Sequence, residues 1–294
     1  MRQIALDRGR VKKRTAISWA LVHCSPLLVL ATGVTRRAII LGVVLYLVRM
    51  FFITGGYHCY FAHRSYRLGR AAQFLFAFGG LTAAQKGPLW WAGIHRMHHR
   101  HPDTPEDAHT PLYGFWWSHM GWLVSDRHDA TDERIMADFA KYPELRWLNA
   151  HDWVGPVPLA IACWLFAGWS GLVIGFFAST LLLWHATFTV NSVAHLWGRR
   201  RYATNDTSRN NALVAALTLG GGWHNNHHNY PGSARHGYRW WELDITYQVL
   251  RLLALLHIVS NLRQPPASVI GVPRTNAART ATAPRREVDR QRVP

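Results

Sequence analysis

The sequence predicts an all-α integral membrane protein. Four transmembrane helices stand under a cytoplasmic helical cap, and the cap carries a histidine-rich dinuclear metal site. Three observations predict this. The 294 residues are 49% hydrophobic, yet the mean hydropathy is only −0.07, so apolar residues must be gathered into runs. Fifteen tryptophans suit membrane–water interfaces, where an amphipathic ring sits at headgroup level. Among 18 histidines, His95, His98 and His99 fall within five residues, and the spacing returns at His224, His227 and His228. On a helix such positions share one face and converge their imidazoles.

The formal net charge is +17. No zinc-finger or RNP-type motif accompanies it, and the long apolar runs argue against nucleic acid as a partner. The charge is read instead as loops facing anionic lipid, with cations left for an anionic substrate headgroup. Three cysteines make no disulfide framework and fit a reducing compartment. Cys24 and Cys163 lie in apolar runs and are read as buried packing residues. Cys59, beside His58, is read the same way rather than as a ligand.

Residues 1–14 form a basic arm with Arg2, Arg8, Arg10, Lys12, Lys13 and Arg14. The first span is expected over about 16–34, with a kink at Pro26. It lacks a small-residue cleavage site and is read as retained. The second span, about 38–54, leads through Gly55 and Gly56 to His58 and His63. Residues 71–85 are apolar but too short to cross, so an interfacial or re-entrant helix is expected there. From 101 to 151 the chain is polar and reads as a cap, anchored by Phe115, Trp116, Trp117 and Trp122. Spans three and four are expected over about 154–169 and 172–190, joined by a tight link at Ser170 and Gly171. Asn191 and His195 close the last one, and Arg199, Arg200 and Arg201 mark the return to the cytoplasm. Residues 241–259 suggest an amphipathic helix, and 267–294 a disordered basic tail. The domain thus covers 15–266. Four crossings would put both termini and every histidine cluster on the cytoplasmic side.

Nine histidines, His58, His63, His95, His98, His99, His195, His224, His227 and His228, can serve two metal ions, with Asn191 placed to hold a metal-bound water. Nitrogen-rich ligation admits zinc, iron, copper or nickel. A structural zinc site uses cysteine and fewer ligands, and soluble diiron bundles use paired glutamates. A histidine-only dinuclear iron site leads among these, because iron can activate oxygen and zinc has no redox chemistry.

These motifs resemble the membrane fatty acyl desaturase family, in particular its acyl-CoA delta-9 branch of bacterial type. The resemblance rests on the boxes at His58–His63, His95–His99, Asn191–His195 and His224–His228. The run Asp103-Thr104-Pro105-Glu106-Asp107 and the stretch Gly114 to His119 extend it. It implies two Fe2+ ions and O2 as co-substrate. One iron would be held by His58, His63, His95, His99 and His228. The other would be held by His98, His195, His224 and His227, with a water on Asn191. It implies hydrogen abstraction from one methylene and then its neighbour, leaving a cis double bond in a saturated acyl chain, and water. Trp184 resembles a tunnel-lining position. Animal acyl-CoA members carry Arg-Asp before the second box, where this chain has Gly93-Ile94. The carrier is therefore open between CoA, a carrier protein and a phospholipid, with Lys86 or the Arg199–Arg201 run as candidate headgroup contacts. The chain has no fused cytochrome b5-like domain. A separate donor is implied, such as ferredoxin or a cytochrome b5-like protein with its reductase, in a bacterial inner membrane. A hydroxylase or ketolase on the same scaffold is an alternative. A membrane metal transporter or b-type cytochrome is another, but it needs ligands at membrane depth, where only His23 and His185 lie. Of the remaining histidines, His109 is the best candidate for a supporting position, near Asp107.

Overall fold

The computed structural model describes residues 8–271. Helices dominate; the one sheet is a two-residue antiparallel pair, Arg67–Leu68 against Val259–Ser260.

Among the described residues, three helical stretches are long and apolar enough to cross a membrane, not four. Span 1 is Lys13–Thr32, span 2 is Arg36–Ala62, and span 3 is Asp152–Leu196. The expected third and fourth helices run as one stretch of 45 residues. Its bend is not at Ser170-Gly171 but at Ala167 and Gly168, where the backbone leaves helical geometry and Gly168 takes φ +63°. Glycine pays no Cβ penalty there. Gly171 comes close against the Cys163 carbonyl across this bend. The even crossing count behind the shared side of both termini loses its premise.

Span 1 winds as a 3-10 helix over Ser25–Leu28, around Pro26, whose missing N–H interrupts the α ladder. Span 2 starts at Thr35, whose side chain accepts from the Ala38 N–H at 3.2 Å. It does not end near residue 54. It widens into a π-helix, Phe52–Ala62, and carries His58 within it. Spans 2 and 3 are locked together. Gly42 lets the Ile174 carbonyl approach, and Gly175 admits Leu41. Arg49, 1% exposed, bonds Thr180 Oγ1 at 2.6 Å and Ser179 Oγ at 2.5 Å on span 3. Cys163 and Cys59 are buried, but Cys24 is exposed, on the outer face of span 1.

The apolar segment expected over 71–85 is a helix at Arg70–Leu81, and the amphipathic one is Ile245–Leu255. The helix Pro88–Arg100 follows, with Pro88 in its first turn and the Trp90 N–H held by Asn149 Oδ1 at 2.8 Å. The basic arm from Arg8 onward lies on the cap: Lys12 N–H bonds the Val124 carbonyl and Ser125 Oγ bonds the Arg8 carbonyl. Of the expected tail, Ala267–Gly271 is a short helix; 272–294, like 1–7, lie outside the described residues.

Candidate metal centre

Four separate elements bring the nine histidines to one place. His58 comes from the π-helix of span 2 and His63 from just beyond it. His95, His98 and His99 come from Pro88–Arg100, His195 from the end of span 3, and His224, His227 and His228 from the helix His224–Asn229. Arg96 points away from the site and fastens its helix to span 2. It donates to the Phe61 carbonyl at 2.7 Å and the Ala62 carbonyl at 3.0 Å, and pairs with Asp138.

The ring nitrogens form two groups, each with its ligand atoms within 4.8 Å of one another. The first is His58, His63, His95, His99 and His227; the second is His98, His195, His224 and His228. The grouping differs from expectation at one pair: His227 and His228 exchange places. Helix geometry explains it. Residues 224 and 228 are one turn apart and nearly in line, whereas 227 is turned about 100° from 228 and reaches the first group.

In the first group the Nε2 atoms touch in sequence. His63 and His95 are 2.9 Å apart, His95 and His99 3.1 Å, His99 and His227 3.0 Å, and His227 and His58 3.0 Å. Two ligands at right angles on one metal, with bonds of about 2.1 Å, stand about 3 Å apart. In the second group, each of three imidazoles has a carboxylate at Nδ1. His98 meets Asp107 at 2.8 Å, His195 meets Asp103 at 2.9 Å, and His228 meets Asp206 at 2.7 Å. A carboxylate fixes the proton on Nδ1 and turns the Nε2 lone pair inward. His98 and His228 therefore face each other with lone pairs 3.2 Å apart. A cation between them, a proton or a metal, is required. The donor set thus fits two metal ions.

Burial, and then neighbouring histidines, hold His63, His95, His99, His224, His227 and His228 well below the ordinary imidazole value, so they are neutral ligands. His98 is the exception. Burial pulls it down, but the Asp107 charge and hydrogen bond outweigh this and raise it. His109 packs on His98 with ring centroids 4.4 Å apart, and its Nδ1 lies 3.5 Å from Asp107; burial lowers it to about 3.

The helix His224–Asn229 is clamped by its own asparagines. Asn225 Oδ1 accepts from the Arg201 and Tyr202 N–H groups, and Asn226 Nδ2 donates to Glu242 and the His236 carbonyl. Arg201 pairs with Glu242, and Arg200 binds the Thr204 and Asp206 carbonyls. Those two arginines, expected as headgroup contacts or anchors, are scaffold for the site.

A cavity adjoins the histidines. Its lining includes His58, His95, His109, His224 and Asn191 together with the apolar Met50, Ile53, Trp184 and Phe188. Trp184 is held by its Nε1 donating to the Ala83 carbonyl at 2.9 Å. Gln85 bridges Thr187 Oγ1 at 3.2 Å and Trp91 Nε1 at 3.0 Å across the cavity wall. The turn that presents Gln85 and Lys86 has Ala84 and Lys86 at positive φ, +55° and +65°. Such backbone persists only where the surroundings hold it. Lys86 Nζ and Lys12 Nζ share Asp129, at 2.5 and 2.7 Å, and Lys86 lies 4.4 Å from the Trp90 ring centre.

Sequence reasoning missed three groups. Asp103 and Asp107 stood in a recognised run with no role given. Asp206 gave no spacing signal, because only the fold brings its loop to His228. His236 is buried against His227 and Cys59.

The fatty acid desaturase family profile matches residues 36–259. Over 216 residues the chain is 40% identical to a chloroplastic protein of Arabidopsis thaliana named as a probable lipid desaturase. It is 39% identical over 212 residues to the sn-1 stearoyl-lipid 9-desaturase of Anabaena variabilis, and 38% over 220 to the acyl-CoA C20 Delta5-desaturase of Anemone leveillei. These alignments cover 72%, 72% and 74% of this chain. The chain spans 60% of the length of the Arabidopsis protein, 78% of the Anabaena protein and 70% of the Anemone protein.

Proposed function

Because the chain belongs to the membrane fatty acid desaturase family, of histidine-box type, we propose that it inserts a cis double bond into a saturated fatty acyl chain with O2 as oxidant. The observation that carries this is the junction of the two histidine groups with the cavity: His58, His95 and His224 belong to both. Two iron ions held by the nine histidines would supply the oxygen and redox chemistry. The chain's own residues do the rest. Trp184, Phe188, Met50 and Ile53 exclude water and hold the alkyl chain, and Gln85 with Trp91 and Thr187 fixes the wall beside the histidines. Asn191 lines the same cavity as His224, where it can hold a water.

We place the double bond at the ninth carbon, as the name of the Anabaena relative describes for its own product. Lys86 and Lys12 are the cations at the water-facing mouth. Gly93, where animal acyl-CoA members carry arginine, brings no charge there. We read the site as cytoplasmic from the basic arm, Arg8 to Arg14. Electrons come from a separate protein of the ferredoxin or cytochrome b5 class.

Expression in a host lacking its own desaturase tests the reading. Gas chromatography with double-bond location should show a new monounsaturated acid, two hydrogens lighter, and the purified protein should contain two irons. A product heavier by one oxygen would mean hydroxylation. A product that survives His98→Ala would remove the metal assignment.

A further inference from the structure

A second run of histidines lies outside the nine, packed on the cavity-lining Trp19, Trp184 and Phe188. His23 is on span 1, His185 on span 3, and His119 on the cap helix Phe115–His119. His23 Nε2 is 3.1 Å from His185 Nε2, His185 Nδ1 is 3.0 Å from His119 Nε2, and His119 Nδ1 is 2.9 Å from Ser192 Oγ. Both ends are carbonyls: His23 Nδ1 donates to Trp19 at 2.7 Å and Ser192 Oγ to Phe188 at 2.9 Å. His185 spends its two nitrogens on different partners, so the rings do not converge on one metal. The chain has five links, while three neutral imidazoles and one hydroxyl bring four hydrogens. With one hydrogen on each ring, one link is unfilled. This joint ties three elements together yet loses less on parting than a saturated network would.

The joint packs behind the seam between spans 1 and 3. Thr15 and Trp19 of span 1 and Trp184, Thr187 and Phe188 of span 3 line the cavity. Trp19 stacks on Trp184 at 4.9 Å and on Phe188 at 5.6 Å between ring centres. No residue of Lys13–Cys24 is buried. Its inner face is a narrow stripe of half-buried residues, Thr15, Trp19, Val22 and His23, while Ile17 and Leu21 face outward. Spans 2 and 3 are interlocked by Arg49 and by glycine contacts; the Lys13–Cys24 part of span 1 meets span 3 through the indole stack and the imidazole chain, while its Ser25–Thr32 part packs on Gly171–Ala178. Sparse packing marks an element that opens at low cost.

We infer that this seam is a lateral gate through which an acyl chain borne on a bilayer lipid passes from the membrane into the cavity. The inference rests on the acyl-chain reading of the cavity and names the carrier class. Stacked indoles present flat apolar faces along which an alkyl chain slides, and the imidazole chain closes behind it. A water-soluble thioester has no use for such a seam, because it presents its chain at the Lys86 mouth.

The test needs no metal, electron donor or oxygen, so it stands apart from turnover. The full chain carrying Cys24→Ser, His23→Cys and His185→Cys is placed in phosphatidylglycerol vesicles. The two new thiols are bridged by a short reducible bis-thiosulfonate. One probe is phosphatidylglycerol with a diazirine on its acyl chain; the other is an acyl-CoA with the same diazirine chain, added from water. With the bridge intact, photolabelling of the Trp184 and Met50 peptides by the lipid should vanish while labelling by acyl-CoA persists. Reduction should restore the lipid signal, and the unbridged variant should label faster than wild type. Trp19→Ala, which keeps the histidines, should also label faster. Lipid labelling that ignores a verified bridge overturns the gate and leaves the desaturase reading intact. Equal loss of both probes also overturns it, since the bridge then acts on the cavity itself. Absence of label from either probe in any state overturns the acyl-chain reading and the gate with it.

Discussion

The two histidine groups use the same ligand and differ in what stands behind it. Three of the four imidazoles in the second group back onto Asp103, Asp107 and Asp206. Among the described residues, no imidazole of the first group bonds a carboxylate. His58 Nδ1 has only the Cys59 thiol, at 3.8 Å, and His227 Nδ1 has no hydrogen-bond partner. A carboxylate behind an imidazole fixes its tautomer, orients the ring and raises its basicity. The two half-sites would therefore differ in metal affinity and in ligand electron density by more than the count of five histidines against four implies. Placement follows the elements. The second group's carboxylates come from loops after the second box and after span 3. The first group is enclosed by span 2 and its apolar neighbours; Asp206 and Asp107 act on His99 through their charge but do not hydrogen-bond it.

Removing the best-connected carboxylate should break the difference most. Asp107 is buried, and its oxygens also accept from the Asp103 and His109 N–H groups. Asp107→Asn keeps the shape but weakens the hold on His98, and should lower affinity at the second half-site by about 10–100-fold. Metal analysis after dialysis should find one ion retained and one lost. Equal loss of both would show that the halves act as one unit and that the asymmetry has no energetic content. Asp206→Asn should have the same sign and a smaller effect, of about tenfold. Asp206 is nearer solvent, so water can replace part of its bond to His228.

Acid should act on the metal-free protein chiefly through the depressed histidines. His63, His95, His99, His224, His227 and His228 are neutral when folded and titrate at ordinary values when unfolded. Below about pH 6.5 the unfolded chain takes up protons that the folded chain refuses. Stability is therefore full above that value and falls as pH drops toward the depressed folded values. His98, raised by Asp107, contributes with the opposite sign: its share is present at low pH and fades as pH rises. Thermal unfolding of metal-free protein should weaken from pH 7.5 to 5.5, and bound metal should reduce the slope by holding the imidazoles unprotonated. A flat profile in the metal-free protein would mean that the cluster is already open to water.

Much of this was legible in the sequence, and the exceptions have physical reasons. Ring spacing on a helix turn gave the triplets, because side-chain direction is set by local geometry. The exchange of His227 and His228 depends on how one short helix is rotated, which spacing alone does not fix. The span count failed at Gly168. Hydropathy reads segments between polar breaks, and the bend falls inside an apolar run, three residues before the expected one. Asp206 and His236 were invisible because tertiary packing alone brings them to the site. Arg200 and Arg201 were misread because a run of arginines looks the same whether it meets lipid or the carboxylate and carbonyls of its own fold.

The smallest expected effect is the most informative about the first group. Cys59 is fully buried, with His58 Nδ1 on one side and His236 Nε2 on the other, each 3.8 Å from its sulfur. A neutral thiol is a weak hydrogen-bond partner and adds little to the basicity of an imidazole. Burial also pushes the His236 ring down, so it stays neutral and supplies no charge to the pair. Cys59→Ala should therefore change metal retention at the first half-site by well under about tenfold, with any loss of stability coming from the small void. His236→Leu in the same background should add little more, since His236 meets the His58 and His227 rings by packing, with centroids 5.2 and 4.6 Å apart, and not by a hydrogen bond to either. If Cys59→Ala instead releases a metal as readily as Asp107→Asn, the thiol is a working support. The contrast between the two halves would then be one of partner chemistry, sulfur against carboxylate, and not of partner presence.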